Sequence, residues 1–338
     1  MLKIQDEGLI LEATNLEFEN KAVFNPTCIR VNGVTHMFYR AVNNNNVSSI
    51  GYCQLENNKV IKRSKNPILF PEYDYEKNGV EDPRITFLDG IYYLLYTAFD
   101  GQNARIAYAT GSNLSNFVKQ GLISPSITYA DASKILYRKP LKEEYFISQL
   151  HLEAEVKGLN FLWEKDALLF PKKINNQFAL MHRIRPDMQI IYFQKFKDLT
   201  AEYWRAYLSN LKEYIVFGPK FSFENQYIGG GCAPIETEDG WLIIYHAVET
   251  TPLGKIYHAC AALLDLKNPL KIMGRLTEPL FSPKTAWEKT GVVNNVVFPT
   301  GAVIIDGRVH IYYGAADKLI AAKSVNLTDL LTELKKTP

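Results

Sequence analysis

The chain has 338 residues, 47 % of them apolar and 22 % charged, with a net charge of +2. That composition supports a large buried core and excludes a disordered chain. So small a charge gives no field that would gather nucleic acid or an anionic membrane surface. The opening residues, MLKIQDEGLILEA, lack the apolar core and cleavage site of a secretory leader. No apolar run reaches about 18 residues, so no membrane helix is expected and the expected compartment is the cytoplasm. Cys28, Cys53, Cys232 and Cys260 form no CxxC pair and read as reduced core residues.

In chain order, five segments repeat one grammar: a residue followed by Pro, a short strand, a tight turn, an aromatic-rich strand, then a small or polar residue. They begin at Asn25 (NPTCIRVNGVTHMFYRAV), Asp82 (DPRITFLDGIYYLLYTAFD), Phe170 (FPKKINNQFALMHRI), Ala233 (APIETEDGWLIIYHAV) and Phe298 (FPTGAVIIDGRVHIYYGAAD). Asn32-Gly33, Asp89-Gly90, Asp239-Gly240 and Asp306-Gly307 are hairpin signals because a two-residue turn needs positive φ. Asn175-Asn176-Gln177 is a weaker third turn. Runs such as IYYLLYTAF and WLIIYHAV are apolar throughout and read as strands buried on both faces. ARIAYAT and KIYHACAALLD bring each repeat to three or four strands. The stretch between 113 and 162 makes the third interval longest, and LKEEYFISQLHLEAEVKG within it reads as a surface insertion. The tail NLTDLLTELKKTP predicts a short helix capped by Asn or Thr. With no break in composition, these elements predict an all-β five-bladed β-propeller with a short C-terminal helix, one domain over residues 1–338. A pair of β-sandwiches is the alternative.

In a propeller, equivalent positions of successive blades surround one axis. The residues before each Pro are Asn25, Asp82, Phe170, Ala233 and Phe298; those after each aromatic strand are Arg40, Thr97, Arg183, His246 and Gly314. Two arginines, a histidine, an aspartate and an asparagine are thereby expected in one funnel, although each alone could serve only to cap its own hairpin. Asp82, in VEDPRITF beside the cation Arg84, is the candidate general acid of a sugar-cleaving site. Its neighbour Glu81 is expected to point the other way by strand alternation. A basic set follows in EKDALLFPKKINNQFALMHRIRP: Lys165, Lys172, Lys173, His182, Arg183 and Arg185. Lys165 and Arg183 suit an anion such as phosphate, whereas Lys172 and Lys173 read as a solvated turn. No metal-ligand spacing, GxSxG, P-loop or dinucleotide fingerprint is present.

The combination GVEDPRITFLDGIYYLLYTAFDG, KDALLFPKKI, GWLIIYHAV and YYGAAD resembles glycoside hydrolase family 130, the mannoside phosphorylases and related β-mannosidases, from Phe24 to Asp317. The resemblance implies a five-bladed propeller. It implies that Asp82 is the general acid, acting through a sugar hydroxyl, and that Asn25, Arg40 and Asp317 contact the mannosyl unit, with Arg84 alongside. Lys165, Arg183, His246 and Tyr257 are implied as the phosphate-binding group. An inverting hydrolase needs a second carboxylate about 6.5 to 9.5 Å from the acid, whereas phosphate needs a cationic cradle. The expected function is inverting phosphorolysis of β-mannosides by inorganic phosphate, releasing α-mannose 1-phosphate. Phosphate is then a co-substrate, with no other cofactor and no metal. A β-mannosidase of the same fold and a non-catalytic carbohydrate-binding propeller are the alternatives. Expected partners are a β-mannoside oligosaccharide and phosphate, with no nucleic acid or membrane, and a homo-oligomer is compatible with the insertion.

Overall fold

The hairpin turns take the backbone their residues favour. Asn32, Asp89 and Asp306 have φ of 50°, 51° and 48°, and the glycines that follow have 83°, 79° and 72°. Asn175 and Asn176, at 49° and 63°, form the third turn without glycine, because asparagine tolerates the left-handed region. At the fourth turn Gly240 has φ 150°, and a Cβ there would lie 2.4 Å from the Leu264 carbonyl oxygen.

A computed structural model describes residues 2–137, 141–143, 145 and 161–337. Its antiparallel hairpins build five blades. The first is Ala22–Val31, Val34–Val42, Ser48–Glu56 and Lys59–Arg63; the second is Gly79–Leu88, Ile91–Phe99, Ala104–Gly111 and Val118–Leu122. A single parallel pairing of Ser48 with Gly79 joins these two. The third is Leu168–Leu169, Phe178–Ile184, Asp187–Phe193 and Ile215–Phe217. The fourth splits its inner strand into Tyr227–Gly230 and Ile235–Thr237, followed by Gly240–Thr251, Gly254–Leu264 and Ile272–Arg275. The fifth is Val297–Ile305, Arg308–Ala315 and Leu319–Asn326, and its outer strand is the N-terminal segment Gln5–Leu11. Gln5 lies opposite Ser324 and Leu11 opposite Ile320. The fold is the expected five-bladed β-propeller.

Five large apolar clusters fill the five blade junctions, and they explain why the second strands are apolar throughout. Phe38 packs toward the second blade while Met37 and Tyr39 pack toward the fifth. Leu94 and Tyr96 face the first blade, and Tyr93 and Leu95 face the third. The same alternation sends Ala179 and Met181 to the fourth blade but Leu180 and Ile184 to the second. Each side chain leaves one face of a strand, and both faces are covered by a neighbouring blade. All four cysteines are buried and free within this core.

A polar latch recurs beneath the apolar layer. In four blades a buried glutamate from the turn before the blade accepts a hydrogen bond from a tyrosine of the second strand. The pairs are Tyr39–Glu19, Tyr96–Glu76, Tyr245–Glu224 and Tyr313–Glu288, at 2.7, 2.7, 2.8 and 2.6 Å. A cation completes each: Arg63, Lys119, Arg275 and Lys323. Such carboxylates are tolerated in the core because each is both paired and hydrogen-bonded. The residue after each tyrosine projects from the opposite face of the strand: Arg40, Thr97, His246 and Gly314.

The tail forms the helix Leu327–Lys335, with the Asn326 side chain accepting from the Asp329 amide at 3.0 Å, as its cap residues predict. Of the segment read as an insertion, LKEEYFISQLHLEAEVKG, all but 141–143 and 145 lie outside the described residues. Among the described residues no helix is long and apolar enough to cross a membrane.

Candidate active site

Two matching irregularities build one wall of the funnel. Asn25 and Asp82 precede prolines and have φ of 47° and 48°. The pairing register breaks there, between Phe24 and Thr27 in the first blade and between Glu81 and Arg84 in the second. These are bulges, and Pro26 and Pro83 suit them because a bulge leaves an unpaired residue that needs no N–H. The bulges turn both side chains to one place, and Asn25 Nδ2 donates to Asp82 Oδ1 at 2.8 Å. A Cβ at residue 314 would lie 2.3 Å from Asn25 Oδ1, so Gly314 is what lets Asn25 sit here.

Arg40 reaches across from the first blade to both acids of the second. Its Nη2 is 2.6 Å from Glu81 Oε1, its Nη1 is 3.5 Å from Asp82 Oδ1, and its Nε donates to Ser48 Oγ at 2.9 Å. Strand alternation predicted that Glu81 points away. It does not, because the bulge at Asp82 breaks the alternation and sends successive carboxylates to the same guanidinium. Asp317, with φ 52°, joins them from the fifth blade. Burial, then the charges of Asp82 and Glu81, push its carboxyl up to about 6 against the pull of Arg40 and Lys165. Three carboxyls, the expected Asp82 and Asp317 and the unexpected Glu81, therefore share this wall.

The opposite wall comes from the third and fourth blades. Arg183 Nη2 is 3.1 Å from Asp166 Oδ2, and its guanidinium lies 4.9 Å from the Tyr227 ring centroid. Arg183 Nη1 is 3.5 Å from His246 Nε2. His246 Nδ1 is 3.2 Å from the Gly230 carbonyl oxygen, which assigns the ring proton to Nδ1 and leaves Nε2 as an acceptor. A Cβ at Gly229 would lie 2.3 Å from His246 Cε1 and 2.5 Å from Arg183 Nη1, so that glycine makes room for both. Tyr257 and Tyr227 join hydroxyls at 3.1 Å. Burial, then Tyr227, hold the Tyr257 hydroxyl well above its usual range. Lys165 Nζ rests 5.2 Å from the Trp163 ring centroid and 5.9 Å from that of Phe99.

Several expectations change in charge or place. Burial, reinforced by Arg183 and Arg84 against Asp166, drives His246 down to about 3, so it is a neutral hydrogen-bonding group and not a cation. Arg84 was expected as a sugar contact but is only 1 % exposed, and its Nη1 donates to the carbonyls of Asp82 (3.1 Å) and Pro83 (2.9 Å). It clamps the bulge from beneath. Phe170 and Ala233 do not line the axis. Phe170 is buried in the junction of the third and fourth blades, edge-on to Trp241. Ala233 falls in the gap between the two halves of the split inner strand, and it is Gly229, in the first half, that pairs with His246. Proline marks an inner strand but not its bulge, so the repeat alignment slips in these blades. Phe298 does reach the site, its ring edge-on to His246 at 4.5 Å. Lys172 and Lys173 are turn residues paired with Glu236 and Asp89 at the surface. Arg185 stacks on Tyr227 at 3.9 Å, and His182 turns away from the funnel.

Asp166 and Tyr227 were not singled out from sequence. Asp166 has φ 61°, the left-handed backbone that Asp82 also adopts, although Asp166 lies before its inner strand and Asp82 within one. Burial would raise its pKa, yet Arg183, then His246, Arg84 and Lys165, hold it below the usual carboxylate range.

Carboxyls on one wall and cations among aromatic rings on the other suit a polyol whose linkage is protonated from one side and met by an anion from the other. That is the layout of a carbohydrate-active propeller. A family model described as β-1,4-mannooligosaccharide phosphorylase matches residues 10–336. The chain is 34 % identical to β-1,2-mannobiose phosphorylase of Thermoanaerobacter sp. (strain X514), covering 94 % of each chain. It is 31 % identical to 1,2-β-oligomannan phosphorylase of the same strain, covering 97 % of this chain and 98 % of the relative. A solved structure of β-1,2-mannobiose phosphorylase from Listeria innocua, in complex with β-1,2-mannobiose, shares the fold with a TM-score of 0.73 at 21 % identity and covers 99 % of both chains. The chain belongs to glycoside hydrolase family 130, the family of the mannoside phosphorylases.

Proposed function

We propose that the whole chain is one catalytic domain that cleaves β-1,2-linked mannosides with inorganic phosphate, inverting the anomeric centre to release α-mannose 1-phosphate. The observation that carries it is Arg183, held by Asp166 and 3.5 Å from His246 Nε2, with the joined hydroxyls of Tyr227 and Tyr257 on the same wall, across from Asp82. The β-1,2 linkage is drawn from the names of the two full-length relatives. In this reading Asn25, Arg40 and Asp317 hold the mannosyl unit. Asp82 supplies the proton that leaves with the acceptor sugar oxygen. A phosphate oxygen held by Arg183, Lys165, His246 and Tyr257 bonds to the anomeric carbon as the glycosidic bond breaks. Neutral His246 matches this task, since it can accept from a protonated phosphate oxygen and becomes a better proton holder once the anion arrives.

Hydrolysis would need a carboxylate base where phosphate binds, and among the described residues the carboxylate beside Arg183 is Asp166. Its depressed pKa makes it a weak base, and its oxygen is taken by Arg183, so it organises the cations instead. A second reading of the acid has its own observation: Asp317, pushed up to about 6, keeps a protonated fraction in mildly acidic solution that can recharge Asp82 or donate directly. Incubation with β-1,2- and β-1,4-mannobiose, with and without phosphate, tests the proposal. Mannose 1-phosphate formed from the β-1,2 isomer only when phosphate is present supports it. Free mannose formed without phosphate overturns it.

A further inference from the structure

The third blade departs from the latch that the other four share. Where they carry a tyrosine before the funnel residue, it carries His182, immediately before Arg183. His182 is fully buried, and its Nδ1 lies 3.0 and 3.1 Å from the two oxygens of Glu164, itself fully buried. Its Nε2 lies 2.7 Å from the hydroxyl of Tyr207, on the helix Ala201–Ser209. Glu164 immediately precedes Lys165 and Asp166. In the other latches an arginine or lysine compensates the carboxylate; among the described residues the basic partner of Glu164 is His182.

This one hydrogen-bonded unit therefore joins the segment that presents Lys165 and Asp166 to the strand that presents Arg183. Apart from the Arg183–Asp166 ion pair inside the pocket, backbone pairing does not set their offset: the inner strand here is only Leu168–Leu169, and its pairing with Met181 and Leu180 ends before residue 166. Trp204, edge-on to the imidazole at 5.4 Å, holds the ring's plane. We propose that Glu164, His182 and Tyr207 are positioning residues of the anion pocket, setting the spacing of Lys165, Asp166 and Arg183 without touching a ligand. The inference rests on the phosphorylase reading, because it takes inorganic phosphate as the anion.

Calorimetric titration with inorganic phosphate and steady-state kinetics in both substrates test it together. Glu164→Gln and His182→Phe should each weaken phosphate binding and raise the phosphate KM at least about ten-fold, since misplacing a binding group by about 1 Å costs up to 10²-fold. The mannoside KM, and kcat at saturating phosphate, should stay within about three-fold. His182→Asn, whose amide nitrogen overlays Nδ1, should restore phosphate binding to within about three-fold of the parent, an outcome that mere loss of core packing would not give. If His182→Phe fails to fold, Tyr207→Phe, which removes one hydroxyl, should still raise the phosphate KM selectively. Equal shifts in both substrate constants, no shift in either, or no recovery with His182→Asn would overturn the proposal. Failure of the parent protein itself to bind phosphate would overturn the phosphorylase reading, and this inference with it, before any variant is made.

Discussion

The two walls of the funnel are built by opposite strategies. The carboxyl wall repeats one device: an x-Pro bulge with near-identical φ in the first and second blades, joined by the bond from Asn25 to Asp82. The cation wall comes from the blades where the repeat fails, with a two-residue inner strand in the third and a split one in the fourth. Repetition suits a group that must be aimed, because two copies of the same strained backbone over-determine its direction. Departure from the repeat suits a pocket, because shortened strands leave room, and Gly229 leaves more. A symmetric ring thus becomes an asymmetric site by keeping its rule on one side and breaking it on the other.

Mutations on the two walls should separate accordingly. Asp82→Asn should lower turnover by at least about 10²-fold with the fold intact, the range for general acid catalysis; equal activity on good and poor leaving groups would transfer the role to Asp317. Arg183→Ala should raise the phosphate KM by roughly 10- to 10²-fold, as loss of a charge-assisted contact of about 1.5–3 kcal/mol implies, and should leave the mannoside KM nearly unchanged. A shift in the mannoside constant alone would merge the walls. Gly314→Ala places a methyl group against Asn25 Oδ1 and should cost about ten-fold in kcat/KM for mannoside with little effect on phosphate.

Acid stability offers a further separation. His246 titrates near 6.5 when unfolded but is driven down to about 3 when folded. The unfolded chain binds the extra proton between those values, so stability falls as pH drops from about 6.5 to 3, at about 1.4 kcal/mol per pH unit for one proton. Glu288 is pushed up by burial, but the Tyr313 hydroxyl, two amides and Lys323 outweigh that and hold it at about 2. Its contribution is present above about 4.5 and is lost as pH falls toward 2. Denaturant melts across pH should show His246→Gln flattening the upper window and Glu288→Gln the lower. The smallest effect is expected at Lys172→Ala, which breaks an exposed pair with Glu236 and should change stability by no more than about 0.5 kcal/mol.

Much of this was legible in the residues. Turn dipeptides and doubly apolar strands revealed the blades, because positive φ and two-sided burial each leave a mark in composition. Asn25, Arg40, Asp82, Arg183 and His246 were found by their place in the repeat; contacts join the first three on one wall and the last two on the other. Glu81 was misdirected because a bulge cancels strand alternation and nothing in EDP announces one. Asp166 was missed because its blade places no proline beside it. The neutral state of His246 was not legible, because burial among cations is a property of the assembled ring. The latch glutamates and the strand Gln5–Leu11 were missed because their partners are distant in sequence, up to the pairing of Gln5 with Ser324.

That pairing also orders events during synthesis. Gln5–Leu11 is made before the other four blades and its neighbour Leu319–Asn326 after them, so the fifth blade stays incomplete until all the others have been synthesised. Asp317 arrives in the same final stretch and meets Asp82 and Arg40 only when the ring shuts. A chain interrupted before Leu319 can thus form its earlier blades but has no finished funnel.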